Sequence, residues 1–252
     1  MSLPDAFLRT PLAHRALHGA GRPENSLAAV RAAVAAGYGI EVDVQPSADG
    51  VAMVFHDYVL DRLTDETGPV ATRSAAELAA IPLKGDDEGI PTLSQVLTAV
   101  DGKVPVLIEI KDQDGAMGPD IGSLQVWVAE ALAGYAGPAA VMSFNPHAVA
   151  AMAKLAPGVP RGLTTSGWDH GNALLLPAAT RAHLLAIKDF DRVGACFISH
   201  DLHNLTNPRV AELKALGVPI LCWTIRSAAE ESQAREIADN ITFEHHAAAR
   251  PA

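Results

Sequence analysis

The 252-residue chain carries a formal net charge of −10 and no basic stretch, which argues against a nucleic-acid surface. Apolar residues make up 49% of it, enough for a large core, yet no run is long enough to span a bilayer and residues 1–15 lack the apolar centre of a signal peptide. Its two cysteines, Cys196 and Cys222, lie far apart in apolar runs, so buried thiols are expected rather than a disulfide framework, with the cytoplasm as the default compartment.

In chain order, the short apolar run 11–17 carries His14-Arg15, and a Gly-rich turn follows at 18–22. Ser26 or Asn25 can cap a helix over 27–36 that Gly37 closes. The run 40–44 alternates as a strand does, with Glu41 and Asp43 on one face and Ile40, Val42 and Val44 on the other. Such a pair suits a solvated edge strand or an enclosed centre. In an enclosed centre two carboxylates repel and lose solvation, so they need a cation. After a turn at Asp49-Gly50, the run 51–55 delivers His56-Asp57. Residues 57–90 are polar and loop-like, with one helical piece at 74–80. That is long for a plain connection, and it is expected as a small insertion, a lid or a subdomain.

The remainder alternates regularly: helix 92–100, strand 104–111, helix 121–135, strand 139–144, helix 146–155, strand 161–165, helix 176–189, strand 195–199, helix 207–216, strand 219–224, helix 228–237 and strand 240–244. Alternation of this kind means a parallel sheet with crossover helices. About eight βα units result, the number that closes a TIM (β/α)8 barrel, here as one domain over 1–252. A doubly wound open sheet would normally show GxGxxG after its first strand, and residues 14–21 do not fit that pattern.

In such a barrel, function sits where strands end. Polar residues gather there: His14-Arg15, Glu41 and Asp43, His56-Asp57, Glu109 and Lys111, and later Trp223-Thr224. Glu109 and Lys111 alone could be a buried ion pair without chemistry. With Glu41 and Asp43, however, three carboxylates exceed what one lysine neutralises. An all-oxygen set of this kind suits Mg²⁺ or Ca²⁺ better than Zn²⁺. His14 and His56 flank the inferred metal, so one can take a proton from a nucleophile while the other gives one to a leaving group. Arg15 and Lys111 offer donors and charge for a phosphoryl group. The constellation points to metal-assisted displacement at phosphorus.

These residues, together with Pro23-Glu24-Asn25-Ser26, the stretch 39–44, Asp49-Gly50, Val54-Phe55-His56-Asp57 and Glu109-Ile110-Lys111, resemble the glycerophosphodiester phosphodiesterase family over nearly the whole chain. The resemblance implies a TIM barrel with an insertion after the second strand. It implies hydrolysis of a small-molecule glycerophosphodiester to glycerol 3-phosphate and an alcohol. It also implies Glu41, Asp43 and Glu109 as ligands of a divalent metal, His14 and His56 as the acid/base pair, Arg15 and Lys111 as phosphate binders, and Trp223 as a wall of the substrate pocket. It implies a cytosolic location as well, which is typical of short members without a signal peptide. The chain departs from the pattern at Ala16, where the family has Gly after His-Arg, and a Cβ there is expected to alter how the backbone approaches phosphate. His18 is expected to be structural or solvent-facing, His200, Asp201 and Asn204 are possible contacts to the substrate's polar tail, and His245-His246 should be exposed.

Two other functions fit the same residues. A phosphodiesterase of the phospholipase type would release a cyclic phosphate after attack by the glycerol hydroxyl, and a silent phosphoester-binding barrel would have lost a catalytic position. A metal-dependent isomerase or aldolase lacks support, since no Schiff-base lysine stands alone in an apolar strand of this chain and two flanking histidines with three acids fit phosphoryl chemistry better.

Overall fold

The structure is a computed structural model describing residues 1–249. In chain order its elements are α1 (Ala6–Arg9), β1 (Leu12–Ala13), α2 (Leu27–Ala36), β2 (Gly39–Pro46), β3 (Ala52–Val54), α3 (Ala75–Ala79), α4 (Leu93–Val100) and β4 (Val106–Ile110). Then come α5 (Leu124–Leu132), β5 (Ala139–Ser143), α6 (Pro146–Leu155), β6 (Arg161–Thr165), α7 (Ala178–Leu185) and β7 (Phe197–Asp201). The chain finishes with α8 (Pro208–Ala215), β8 (Ile220–Ile225), α9 (Ala228–Ala234) and β9 (Asn240–Phe243). Eight parallel strands run β1-β2-β4-β5-β6-β7-β8-β9, and β1 bonds both β2 and β9, which closes a TIM barrel. The ninth strand, β3, is the antiparallel return of a hairpin on β2.

Period-two alternation divides the side chains of each strand between two cores. Ile40, Val42, Val44, Ile108 and Ile110 point outward and pack under the helices in one continuous cluster. Leu12, Leu107, Ala140, Phe197 and Leu221 point inward and join Leu3 and Phe7, so that α1 closes the barrel beneath the strand starts. Gly162 makes this filling possible, since a Cβ there would meet the Phe197 ring at 2.4–2.6 Å. The short sequence signals act locally as expected. Ser26 accepts a hydrogen bond from Ala29 N at 3.1 Å and Gly37 closes α2 at φ 68°, a cap worth about 1 kcal/mol.

The insertion has an apolar cluster of its own, in which Phe55, Leu60, Leu78, Leu83 and Ile90 pack together. A capping box, with Ser74 and Glu77 bonding each other's backbone, starts α3. Several helices are shorter than periodicity suggests, for backbone reasons. Gly122 at φ 62° precedes α5, and Ile187 at φ 46° stops any extension of α7. The seventh strand runs two residues past 199, so His200 and Asp201 lie within β7 rather than after it. Cys222 is buried and Cys196 only half-buried, both as free thiols. His246 is not exposed as expected: its ring packs on Phe243 at 5.6 Å, while His245 stays open to solvent. Among the described residues no helix is long and apolar enough to cross a membrane.

Candidate active site

The first and last barrel strands place one histidine. His14 follows β1 directly, and its N–H continues the ladder to Phe243 O at 2.8 Å. Its Nδ1 lies 2.6 Å from Oε2 of Glu244, the residue after β9. Burial would raise the Glu244 pKa, but the hydrogen bond from His14, the neighbouring His18 ring and the charges of His14 and Arg226 hold it far below the carboxylate range. An ionised carboxylate only accepts, so Nδ1–H donates and the tautomer leaves Nε2 unprotonated. Burial lowers the His14 pKa, against the raising effect of the Glu244 hydrogen bond, so the neutral ring prevails near neutrality.

His56 repeats the arrangement at the end of the hairpin. Its Nδ1 is 2.7 Å from Asp57 Oδ1, and Arg62 Nε of the insertion donates to Asp57 Oδ2 at 2.6 Å. Burial opposes ionisation of Asp57, but Arg62 and His56 outweigh it and lower its pKa. Arg62 also forks onto Glu24 at 2.7 and 2.9 Å, and Glu24 accepts from Arg15 Nη1 at 2.7 Å. One chain of ion pairs therefore runs from Arg15 to His56 through the insertion.

The carboxylates line the same cavity as the two histidines. Asp43 and Glu109 are register partners on β2 and β4, and Glu41 precedes Asp43 on the same face. All three are buried, and one oxygen of each lies within 4.8 Å of the others. Lys111 Nζ sits 2.6 Å from Asp43 Oδ1 and 2.5 Å from Glu109 Oε1. Asn25 Nδ2 donates to Asp43 Oδ2 at 3.0 Å, and the Arg15 N–H donates to Glu41 Oε2 at 2.9 Å. Burial would raise Asp43, but Lys111, His56 and Arg15 hold it far below its ordinary value. Glu41 goes the other way: burial, then the charges of Asp43 and Glu109, push its pKa well up. The cluster is therefore short of positive charge. Three converging carboxylate oxygens make a donor set that fits a hard divalent cation such as Mg²⁺ or Ca²⁺.

The same cavity, of about 170 Å³, is lined by all eight residues singled out from the sequence, including Trp223. Trp223 is fixed by Nε1 donating to Ser199 O at 2.9 Å and by an edge contact to Phe144 at 5.6 Å. Arg15 Nε is buried without a hydrogen-bond partner, 3.6 Å from Asp43 Oδ2. It is a donor in want of an anion.

Other expectations change. His200 is fully buried, its ring held by Thr165 Oγ1 at 2.6 Å and Asn204 O at 3.0 Å, so it braces two strands and does not reach substrate. Asp201 caps the turn at His203 N, 3.0 Å, and Asn204 is spent on His200 and Asn207. Neither lines the cavity. The Ala16 methyl is buried in the outer core with α2, away from the site, and the Ala16 N–H donates to Glu41 O at 2.9 Å. Sequence reasoning assigns no role to Glu244, Asp57 or Arg62. The strand-end logic that found the others also reaches Glu244, which ends the run 240–244. Asp57 adjoins His56, whereas nothing local marks Arg62.

Comparison with known proteins agrees with this geometry. The profile of the Glycerophosphoryl diester phosphodiesterase family matches residues 14–241. The Bacillus subtilis protein YhdW is 27% identical over 225 residues, 86% of each chain. Human glycerophosphodiester phosphodiesterase 1 is 32% identical over 99 residues, and the matched stretch spans only 30% of that protein's length and 35% of this chain. The crystal structure of an Oleispira antarctica phosphodiesterase in complex with the product sn-glycerol-3-phosphate superposes with a TM-score of 0.76 at 25% identity, covering 95% of this chain and 94% of that one. With a family match across nearly the whole barrel, the chain is an enzyme of the glycerophosphoryl diester phosphodiesterase family.

Proposed function

We propose that the chain hydrolyses glycerophosphodiesters to glycerol 3-phosphate and an alcohol, using a divalent metal and two histidines in general acid/base roles. The observation that carries this reading is the pairing of two identical devices across one cavity. His14 and His56 each have Nδ1 held by an ionised carboxylate, at 2.6 and 2.7 Å, in the cavity that Glu41, Asp43 and Glu109 also line. Glu41, Asp43 and Glu109 would hold Mg²⁺ or Ca²⁺. A cation bound there supplies charge neutralisation at the phosphoryl oxygens.

The side chains account for the rest. His14 is kept neutral by burial and turns Nε2 to the cavity, so it accepts the proton of the attacking oxygen. His56, whose side chain is 31% exposed at the rim, gives a proton to the departing alcohol. Arg15 Nε, the unpaired buried donor, and Lys111 hold the phosphoryl oxygens, Arg15 by directed hydrogen bonds and Lys111 as a point charge. Trp223 and Phe144 give the organic part of the ester an apolar wall. A small-molecule substrate is supported by the product found in the Oleispira antarctica enzyme.

The test is release of glycerol 3-phosphate from glycerophosphocholine in EDTA and then with added Mg²⁺ or Ca²⁺. Metal-dependent release is expected. A folded sample that binds the ester but releases nothing with either metal would make the chain a silent phosphoester-binding barrel.

A further inference from the structure

Among the described residues, one group of side chains besides the carboxylate cluster has metal-ligand geometry. His14 Nδ1, Glu244 Oε2 and His18 Nε2 all lie within 4.8 Å of one another. Glu244 Oε2 is 2.6 Å from His14 Nδ1 and 3.5 Å from His18 Nε2. His18 Nε2 is buried and makes no hydrogen bond, so a ring nitrogen is aimed at the carboxylate without being satisfied by it. Arg226 Nε holds the other oxygen, Oε1, at 2.7 Å, which leaves Oε2 facing the two rings. An edge contact with His245 at 5.2 Å fixes the His18 ring.

We infer that His14, His18 and Glu244 form a second metal site, selective for Zn²⁺ and similar borderline cations, whose occupation switches the enzyme off. The donor chemistry separates the two sites. Two imidazoles and a carboxylate, with a coordination position left for water, form a set typical of Zn²⁺, while three carboxylates suit Mg²⁺ or Ca²⁺. The separation needed is small, since His18 already stands 3.5 Å from Glu244 and only the His14 to Glu244 hydrogen bond has to open.

The consequence for turnover rests on the role proposed above for His14. A metal on Nδ1 replaces the proton donated to Glu244, and in the neutral ring that proton is carried at Nε2 instead. Nε2 then has no lone pair with which to accept a proton, so the base is lost while substrate and the carboxylate-bound metal can stay in place.

The experiment uses the full chain with saturating Mg²⁺ and compares wild type with His18→Gln and His18→Ala. Uptake of Zn²⁺ is followed by competition with a chromophoric chelator, and Co²⁺ is followed by its visible d–d absorption. Wild type should take up one equivalent with a tetrahedral Co²⁺ spectrum and lose turnover in parallel. Both variants should keep Mg²⁺-dependent turnover, lose the spectrum, and need at least about ten-fold more Zn²⁺ for half-inhibition. Displacement of Mg²⁺ from the carboxylates does not involve His18, so wild-type Zn²⁺ uptake and inhibition in both variants would overturn the site. Uptake that depends on His18 but leaves turnover untouched would instead overturn the assignment of His14 as the base and keep the metal site.

Discussion

Glu244 Oε2 lies 2.6 Å from His14 Nδ1, joining the residue after the last barrel strand to the residue after the first. The two strands are neighbours in the closed sheet, so barrel closure itself assembles the pair. Glu244 fixes the His14 tautomer and, by hydrogen bond and charge, holds its pKa up against burial. Glu244→Gln should therefore cut kcat by roughly 10²–10⁴-fold, the range for losing a positioned base. A variant with wild-type kcat would remove Glu244 from any positioning role.

The direction of the His14 shift also fixes a pH profile. Since burial lowers its pKa below the ordinary 6.5, the base form persists to mildly acid pH and is lost as pH falls through the lowered value. The acid limb of kcat/KM should thus have its midpoint below 6.5, and in Glu244→Gln, which lacks the raising influence, it should move lower still. A midpoint above 6.5 would show that a different group controls the limb.

Glu41 gives the opposite sign, in stability. Its pKa in the metal-free fold stands well above its unfolded value, because of burial and the Asp43 and Glu109 charges. Its contribution is complete at acid pH and lost as pH rises through the raised value, so near neutrality the metal-free site is a liability. Asp43 is lowered, and its contribution is instead lost as pH falls into the strongly acid range. Added Mg²⁺ should raise the Tm near neutrality, by about 2.7 kcal/mol in stability at a hundred times its Kd. Glu41→Gln should raise the metal-free Tm and abolish most of that response. A metal-free variant less stable than wild type at neutral pH would show that Glu41 is already compensated.

How much of this was legible beforehand follows from the range of each interaction. Ser26, Gly37 and the alternation in 40–44 act over a few residues, so α2, β2 and the shared face of Glu41 and Asp43 are legible directly, whereas that this face turns inward depends on closure of the barrel. The α5 and α7 limits depend on left-handed residues, Gly122 and Ile187, that periodicity does not weigh. Periodicity ends β7 at 199 and so makes His200 a strand-end contact, whereas two more residues in the strand bury it against Thr165. Glu244 and His14 are 230 residues apart, and only closure of the barrel makes them partners.

Arg62 links the insertion to the site by charge, bridging Glu24 and Asp57. Its side chain is 47% exposed, so as a stability element it is worth about 1 kcal/mol or less. Its value lies in keeping Asp57 oriented under His56. Arg62→Ala should leave the Tm nearly unchanged and lower kcat about ten-fold with little change in metal affinity, and Arg62→Lys, which loses the fork, should recover only part of it. Loss of metal binding in Arg62→Ala would mean that the insertion supports the carboxylates rather than His56.

Ala16 is the chain's clearest departure from the family pattern, and its backbone shows why Gly is at home there. Arg15 and Ala16 both lie in the left-handed region, at φ 51° and 64°, a conformation costing a non-glycine residue about 1–2 kcal/mol. The cost is offset in part by the methyl, which is buried against the outer core, a contribution of about 0.8 kcal/mol. A net cost of about 1 kcal/mol or less remains, and the turn that directs the Arg15 and Ala16 N–H groups to Glu41 is already formed with alanine. Ala16→Gly should therefore change stability by less than about 1 kcal/mol and kcat/KM by less than about two-fold. A large gain in kcat/KM would mean that the Cβ holds the loop away from the phosphoryl group, and the departure would then be a real cost to catalysis.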